Sequence, residues 1–169
     1  TKILPYEAED DLWYRTRTTN VLYQYAGGHV AGILLDLECD SCFAWSGENT
    51  VMVRAEAGRP FYIFNDTDDL HHYVYPVVTL SAASAEVIAV TNFSDNGHRS
   101  EIKGMKSGET ITIDSGRQIK SSSRSHELLL DDFNLGWFRL IPGKNQYISN
   151  VDMTVSMKFR VPRKAGIIQ

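Results

Sequence analysis

Residues 152–161 read DMTVSMKFRV, and apolar and polar side chains alternate along the whole stretch. Every second residue from position 153 to position 159 is apolar: Met153, Val155, Met157 and Phe159. Because successive side chains of a β-strand point to opposite faces, a period of two predicts a strand with one buried face and one face toward solvent.

Other stretches upstream have the same character, with β-branched, aliphatic and aromatic residues in short runs. They cover residues 21–25, 30–37, 50–54, 60–64, 73–80, 86–93 and 109–114. Turn clusters separate them: AGGH, SGEN, AGRP, NDTDD, SDNG, KSGE, DSGR and PGKN. The turns recur roughly every ten to twelve residues, and no stretch has the three-to-four-residue periodicity and the caps of a helix. This pattern predicts an all-β fold, an antiparallel two-sheet β-sandwich over residues 21–169. Residues 1–20 are predicted to form an extended N-terminal arm, because Pro5 disfavours a helix there.

The composition restricts the classes of function. The chain has 169 residues, 43% hydrophobic and 22% charged, which suits one globular domain with an arm. The net charge of −4 argues against a nucleic-acid binder, since phosphate binding needs clustered positive charge. No run of eighteen apolar residues predicts a membrane-spanning helix, and the charged first residues do not resemble a signal peptide.

Cys39 and Cys42 form a single C-x-x-C in CDSC. A structural zinc site needs four ligands, and no second pair follows at zinc-site spacing. The stretch reads as a strand and a turn, whereas a redox C-x-x-C usually opens a helix. Two structural thiols in a reducing compartment are favoured, and redox or metal use is the alternative.

Motifs of catalysis are missing from the sequence, which has no phosphate-binding glycine loop, no G-x-S-x-G and no H-E-x-x-H. Ser125-His126-Glu127 are consecutive and so cannot form a triad from a strand. The acidic run at residues 65–69 lacks the glycine and glutamate of a calcium loop and is interpreted as a turn, and the neighbouring His71 and His72 face opposite ways. We therefore expect no catalytic residue, no cofactor and no metal site.

Tryptophans raise a carbohydrate-binding alternative, because sandwich lectins stack sugar rings on exposed indoles. Trp45 lies in WSGEN beside Glu48, and Trp13 is on the arm. These three residues are candidate contacts for a glycan or a protein partner. The favoured interpretation of Trp45 and of Trp137 is packing against the core, since aromatic side chains contribute much buried area.

The stretch at residues 109–148 predicts two hairpins. In the first, Asp114 caps a turn with its side chain and Gly116 takes positive φ. In the second, Trp137–Ile141 form a strand before a type II turn at Pro142-Gly143. Asn145 can hydrogen-bond the local backbone. Alternation along this strand places Trp137 and Arg139 on one face and Phe138 and Leu140 on the other.

The order of ETITIDS, a serine-rich loop, DDFNLGWFRLIPGKNQYI and a closing amphipathic strand resembles the C-terminal half of siphophage distal tail (Dit) proteins. The segment EDDLWYRTR (residues 9–17) is similar to the segment that links the halves of such proteins. The motif positions with a structural role are Asp114, Asn134, Trp137, Leu140, Pro142, Gly143 and Asn145.

The resemblance implies a galectin-like or jelly-roll-like sandwich in a phage or prophage tail tip, without enzymatic activity. It would serve as a docking platform between the tail tube and host-adhesion parts. Its partners would be the tail tube, a tail-associated lysin or tip protein, and a receptor-binding protein. Residues 1–20 would link to a missing ring-forming half, the full-length protein would be a homo-hexamer, and this piece a monomer. The alternative is a carbohydrate-binding module for host cell-wall glycans, although WSGE differs from the galectin motifs.

Overall fold

The computed structural model describes residues 2–5, 12–83, 85–124 and 129–164. The strands are β1 Lys2–Pro5, β2 Trp13–Ala26, β3 His29–Cys39, β4 Phe43–Trp45, β5 Asn49–Ala55, β6 Pro60–Asn65, β7 Val77–Ala82, β8 Ala85–Asn92, β9 His98–Met105, β10 Thr110–Asp114, β11 Ile119–Ser122, β12 Gly143–Ser149, β13 Met153–Phe159 and β14 Pro162–Lys164. A single turn of helix, α1, covers Leu129–Asp132. The all-β prediction is confirmed, and in the described part of the chain no helix is long enough to cross a membrane.

The chain divides into two compact units. The first consists of the residues up to Gly47 and those from Pro162 onward, and the second is Glu48–Val161. The sequence had set the boundary near residue 20, but β2 continues through that point and pairs with β3. The link from residues 1–20 to a ring-forming half stays a prediction.

Two antiparallel sheets make up the second unit. Their strand orders are β11-β10-β7-β13-β5 and β6-β12-β8-β9. The opening stretch forms β13, an interior strand of the first sheet between β7 and β5, and its alternating residues Met153 to Phe159 are all at most 5% exposed. Phe61 and Ile63 of the other sheet join the same buried cluster. Each such side chain stabilises the fold by roughly 1.5–3 kcal/mol through burial.

The first unit contains a long ribbon. Its strands β2 and β3 turn through Gly27 and Gly28, which have φ of 58° and 81°. Positive φ at both residues of a two-residue loop is the type I′ geometry that matches the twist of a hairpin. Strands β1, β4 and β14 complete this sheet near the start of β2.

The thiols of Cys39 and Cys42 are free and exposed. The two residues lie at the end of β3 and in the turn that follows it. Neither thiol is buried in a core, so the packing that a structural role would bring is not seen.

Three local predictions are wrong. Trp137–Ile141 do not form a strand, because only Leu140 pairs, in a bridge with Val74, and Pro142 lacks the N–H that would extend a ladder. Strand β7 begins at Val77 rather than at residue 73, so the residues before it do not continue the ladder. The positive φ expected at Gly116 occurs instead at Gln118, with φ of 57°.

Candidate functional site

The segment Asn134–Asn145, here called the motif segment, leads from α1 into the first residues of β12 and is fixed at both ends by asparagines. At the first end, Asn134 Oδ1 accepts hydrogen bonds from the N–H groups of Glu101 (3.0 Å) and Gly136 (2.9 Å). Its Nδ2 donates to the Arg99 carbonyl at 3.0 Å. These bonds fasten the segment to the backbone of β9.

Gly136 allows the segment to approach β9 closely. A Cβ at this position would lie 2.1 Å from the carbonyl oxygen of Arg99, well inside contact distance. The Ser100 hydroxyl donates a short hydrogen bond to the Gly136 carbonyl. The preceding Leu135 is in the left-handed region, with φ of 58°. Only glycine fits at position 136 without a shift of the backbone.

At the other end, the fully buried Asn145 holds the Pro-Gly turn. Its Oδ1 accepts from the Ile141 N–H at 2.9 Å, and its Nδ2 donates to the carbonyls of Ile141 (2.9 Å) and Gly143 (3.1 Å). Asn92 Nδ2 also donates to Asn145 Oδ1 at 2.9 Å. The predicted positive φ at Gly143 is present, at 84°. The side chain replaces the backbone partners that a strand would have supplied.

Between these ends, side chains alternate between the core and an open cavity. Phe138 and Leu140 are at most 1% exposed, whereas Trp137 and Arg139 line the cavity. The alternation predicted from the sequence is therefore present, although Trp137–Ile141 do not form a strand. The Trp137 ring packs edge-to-face on Phe133, with centroids 5.0 Å apart.

The Arg139 guanidinium is held on two sides. Its Nε and Nη2 donate to the carboxylate of Asp95, which is buried, at 2.5 and 3.3 Å. Its Cζ lies 4.3 Å from the centre of the Tyr73 ring, a cation–π distance. The hydrogen bond to Asp95 raises the pKa of Arg139 above its usual value. The guanidinium is thus a fixed, charged donor.

The side chain of Tyr147 holds the backbone of Arg139 in place. Its phenol donates to the Arg139 carbonyl at 2.9 Å, and its ring stacks on Phe61 with centroids 5.6 Å apart. Burial raises the pKa of the Tyr147 phenol above its usual range. Because the hydroxyl stays protonated, it remains a donor throughout the ordinary pH range.

The cavity has a volume of about 430 Å³. Its wall includes the side chains of Tyr75, His98, Ser115, Gln118, Trp137 and Arg139. His98 Nε2 lies 2.9 Å from the carbonyl oxygen of Trp137, and because a carbonyl only accepts, Nε2 carries the proton. Among the residues that the structure describes, the buried Ser115 Oγ has no hydrogen-bond partner. The site is open, mostly polar and flanked by aromatic rings.

Residues 43–159 match the sequence model of a family described as the phage tail C-terminal domain. The chain belongs to this family. The motif segment and the cavity both lie within the matched residues. The phage tail domain is a component of the virion tail, and the resemblance to tail proteins noted from the motif residues is confirmed.

The fold is similar to that of the SPP1 Dit protein (gp 19.1), whose crystal structure is described as a paradigm of the hub adsorption apparatus in phages infecting Gram-positive bacteria. The TM-score is 0.59 at 13% identity, over 88% of this chain and 60% of that one. At this identity the likeness concerns the fold, and the chain spans less than two thirds of the SPP1 protein. A search of curated proteins found no match.

The glycan candidates from the sequence do not form one cluster within either unit of the chain. Trp13 and Trp45 are directly paired across β2 and β4, and the Arg15 guanidinium lies 5.2 Å from the Trp45 ring centre. Glu48 belongs to the second unit, where its carboxylate is 3.9 Å from the Lys158 ammonium. A binding role for the three stays a prediction.

The acidic loop at residues 65–69, which the sequence predicts to be a turn, ends in a network of hydrogen bonds around Asp69. Asp69 accepts from the His71 N–H at 3.1 Å and lies 2.9 Å from His72 Nδ1. The bond from the His71 backbone N–H lowers the pKa of Asp69 below its usual value. Within the described ranges, no three His, Cys, Asp or Glu side chains are grouped as metal ligands.

Sequence reasoning missed most of the cavity. Asp95 lies in SDNG, which was interpreted only as a turn, and Tyr75 was assigned to a strand. His98 begins β9, a strand too polar to show a period of two. The alternation of Trp137 and Arg139 was the one signal in the sequence that pointed to this wall.

Proposed function

We propose that the chain is a non-enzymatic docking platform in the tail tip, placed between the tail tube and the host-adhesion parts. The observation that carries this proposal is the apolar face of the β2–β3 ribbon. The family assignment supports the location, and the resemblance to distal tail proteins supports a homo-hexameric full-length protein with this piece alone as a monomer.

One face of the ribbon is apolar along its length. The facing pairs are Val21–Leu35, Tyr23–Ile33 and Tyr25–Val30, and Leu37 continues the row. All of these side chains are between 43% and 68% exposed. A contiguous exposed apolar surface of this kind marks an interaction site in a folded protein.

The opposite face of the ribbon is more polar, so the two faces differ in the partner surface that they can bury. Asn20 Nδ2 donates to Asp36 Oδ2 at 3.0 Å, and Arg17 pairs with Glu38 at 2.7 Å. Gln24 faces Gly32 on this side, next to one apolar pair, Leu22–Leu34. A two-stranded ribbon is marginally stable in water by itself. Covering the apolar face with another tail subunit would stabilise it by burial.

The experiment compares two adjacent substitutions that add the same charge on opposite faces. Tyr23→Lys places an ammonium in the apolar face, whereas Gln24→Lys places it in the more polar face. Each variant is co-expressed with the tail tube, tip and receptor-binding proteins of the same phage and purified through a tag on the chain.

We expect the wild-type chain and Gln24→Lys to retain at least one of these tail proteins and Tyr23→Lys to lose it. Circular dichroism checks that both variants fold. Equal retention by both variants, or no retained tail protein with the wild-type chain, would contradict the proposal.

A further inference from the structure

We propose that the cavity beside the motif segment is a binding site for a neutral saccharide unit. This site is separate from Trp13, Trp45 and Glu48, and it does not depend on the docking proposal. It lies entirely within the unit Glu48–Val161. Its volume of about 430 Å³ is in the range of small-molecule sites.

Tyr75 is the aromatic platform of the wall, and Trp137 adds apolar surface beside it. Tyr75 is half exposed, whereas Trp137 is partly buried against Phe133 and has the Lys120 ammonium 5.6 Å from its ring centre. The apolar face of a pyranose ring packs on such rings, while the polar tip of a tyrosine stays in contact with water and hydroxyls. A peptide anchor would instead favour a closed apolar pocket, which this cavity is not.

The charge balance selects a neutral ligand over an anionic one. Arg139 is the permanently charged side chain of the wall, and the buried Asp95 neutralises it through two hydrogen bonds. Within the described residues, Nη1 of Arg139 donates no hydrogen bond, in contrast to Nε and Nη2. A neutral hydroxyl can accept from this fixed nitrogen, whereas the paired Arg139 offers a phosphate little net positive charge.

Polar groups around the platforms are held in place before any ligand binds. Asp95 and Tyr73 fix the guanidinium, and the bond to the Trp137 carbonyl fixes the His98 ring. Gln118 presents an exposed amide from a left-handed backbone position. Preorganised donors and acceptors lower the entropic cost of binding a polar ligand.

The Ser115 hydroxyl is an independent indication that the cavity binds a ligand with a polar group. It is 3% exposed, and among the described residues its hydroxyl oxygen has no hydrogen bond. An unpaired buried hydroxyl is destabilising by about 1–3 kcal/mol. Because Ser115 lines the cavity, a ligand hydroxyl bound there could pair with it.

The test is a titration of the purified chain with neutral sugars, followed by tryptophan fluorescence and by two-dimensional NMR. The probes are glucose, galactose, rhamnose, N-acetylglucosamine and their short oligomers, with inorganic phosphate and an unrelated peptide library as comparisons. We expect at least one neutral sugar to bind with a Kd in about the millimolar range and to shift the signals of Trp137 and Gln118.

Tyr75→Ala and Tyr62→Ala are the matched variants, because the two tyrosines are 50% and 47% exposed and only Tyr75 lines the cavity. We expect Tyr75→Ala to weaken sugar binding roughly tenfold and Tyr62→Ala to leave it unchanged. Equal effects of the two variants would overturn the proposal.

The variant Ser115→Ala distinguishes an effect on sugar affinity from an effect on stability. We expect the melting temperature to stay the same or rise, because an unpaired hydroxyl is removed, while the sugar affinity falls several-fold. Unchanged affinity in Ser115→Ala together with unchanged affinity in Tyr75→Ala would overturn the assignment. Absence of binding by any neutral sugar, or binding of phosphate or peptide in this cavity instead, would also overturn it.

Discussion

The buried amide of Asn92 donates a hydrogen bond to the buried amide of Asn145, with 2.9 Å between Nδ2 and Oδ1. Asn92 ends β8 and Asn145 lies in β12, so the bond joins two neighbouring strands where the Pro-Gly turn enters the sheet. Removing either partner leaves buried polar groups unpaired, which is costly in a low-dielectric interior.

Asn145→Ala should lower the free energy of unfolding by about 3 kcal/mol, because Ile141, Gly143 and Asn92 all lose a buried partner. Urea unfolding measures the change. Lys144→Ala is the control, since this exposed neighbour only stacks on Tyr62, and its cost should stay under about 1 kcal/mol. Similar costs for both variants would mean that the turn does not depend on the Asn145 amide.

Gly136→Ala should destabilise the fold by about 1–3 kcal/mol, because the new Cβ collides with the Arg99 carbonyl and forces the motif segment away from β9. Gly116→Ala is the comparison, since its Cβ would meet only ordinary contacts at 3.7 Å and beyond. We expect that variant to change stability by less than about 1 kcal/mol. A neutral Gly136→Ala in thermal unfolding would contradict the close approach.

Phe138→Ala should cost about 3–5 kcal/mol, since the ring is 1% exposed and a cavity would remain in the core. Ile119→Ala, at a residue that is 55% exposed, should cost much less. Chemical denaturation of both variants tests the inward direction of Phe138. Equal losses would place the ring at the surface.

The lowered pKa of Asp69 predicts a pH dependence. Because its pKa in the folded chain lies below the ordinary value of 3.8, its stabilising effect is complete well above that pH and is lost as pH falls below about 4. The stability gap between the wild-type chain and Asp69→Asn should therefore be present at pH 7 and shrink toward pH 3. Denaturation at several pH values measures it, and a gap independent of pH would show that the carboxylate charge has no role.

The sequence predicted the elements in which a period of two is strong, and it missed those in which polar residues fill the buried face. Strand β13 has Met153 to Phe159 on one side without interruption, so its burial followed from spacing alone. Strand β9 buries Ser100 beside Ile102, and the Ser100 hydroxyl is satisfied by the Gly136 carbonyl from a distant segment. No local pattern encodes that pairing.

The cavity was less predictable than the sheets, because its parts come from the residues before β7, the start of β9, the β10–β11 turn and the motif segment. Arg139 meets Asp95 and Tyr73 only after the sandwich has folded, so their charge and ring contacts have no sequence spacing to reveal them. The asparagines were easier, since Asn145 acts on its own turn and an Asn after Pro-Gly is a local signal.

The most direct test of the docking account is a cryo-electron microscopy reconstruction of the tail of the phage that encodes this chain. The account predicts the chain at the distal end of the tail, with the ribbon face of Tyr23 and Leu35 covered by another tail subunit. A reconstruction in which this face remains open to solvent, or in which the chain lies elsewhere in the virion, would contradict it.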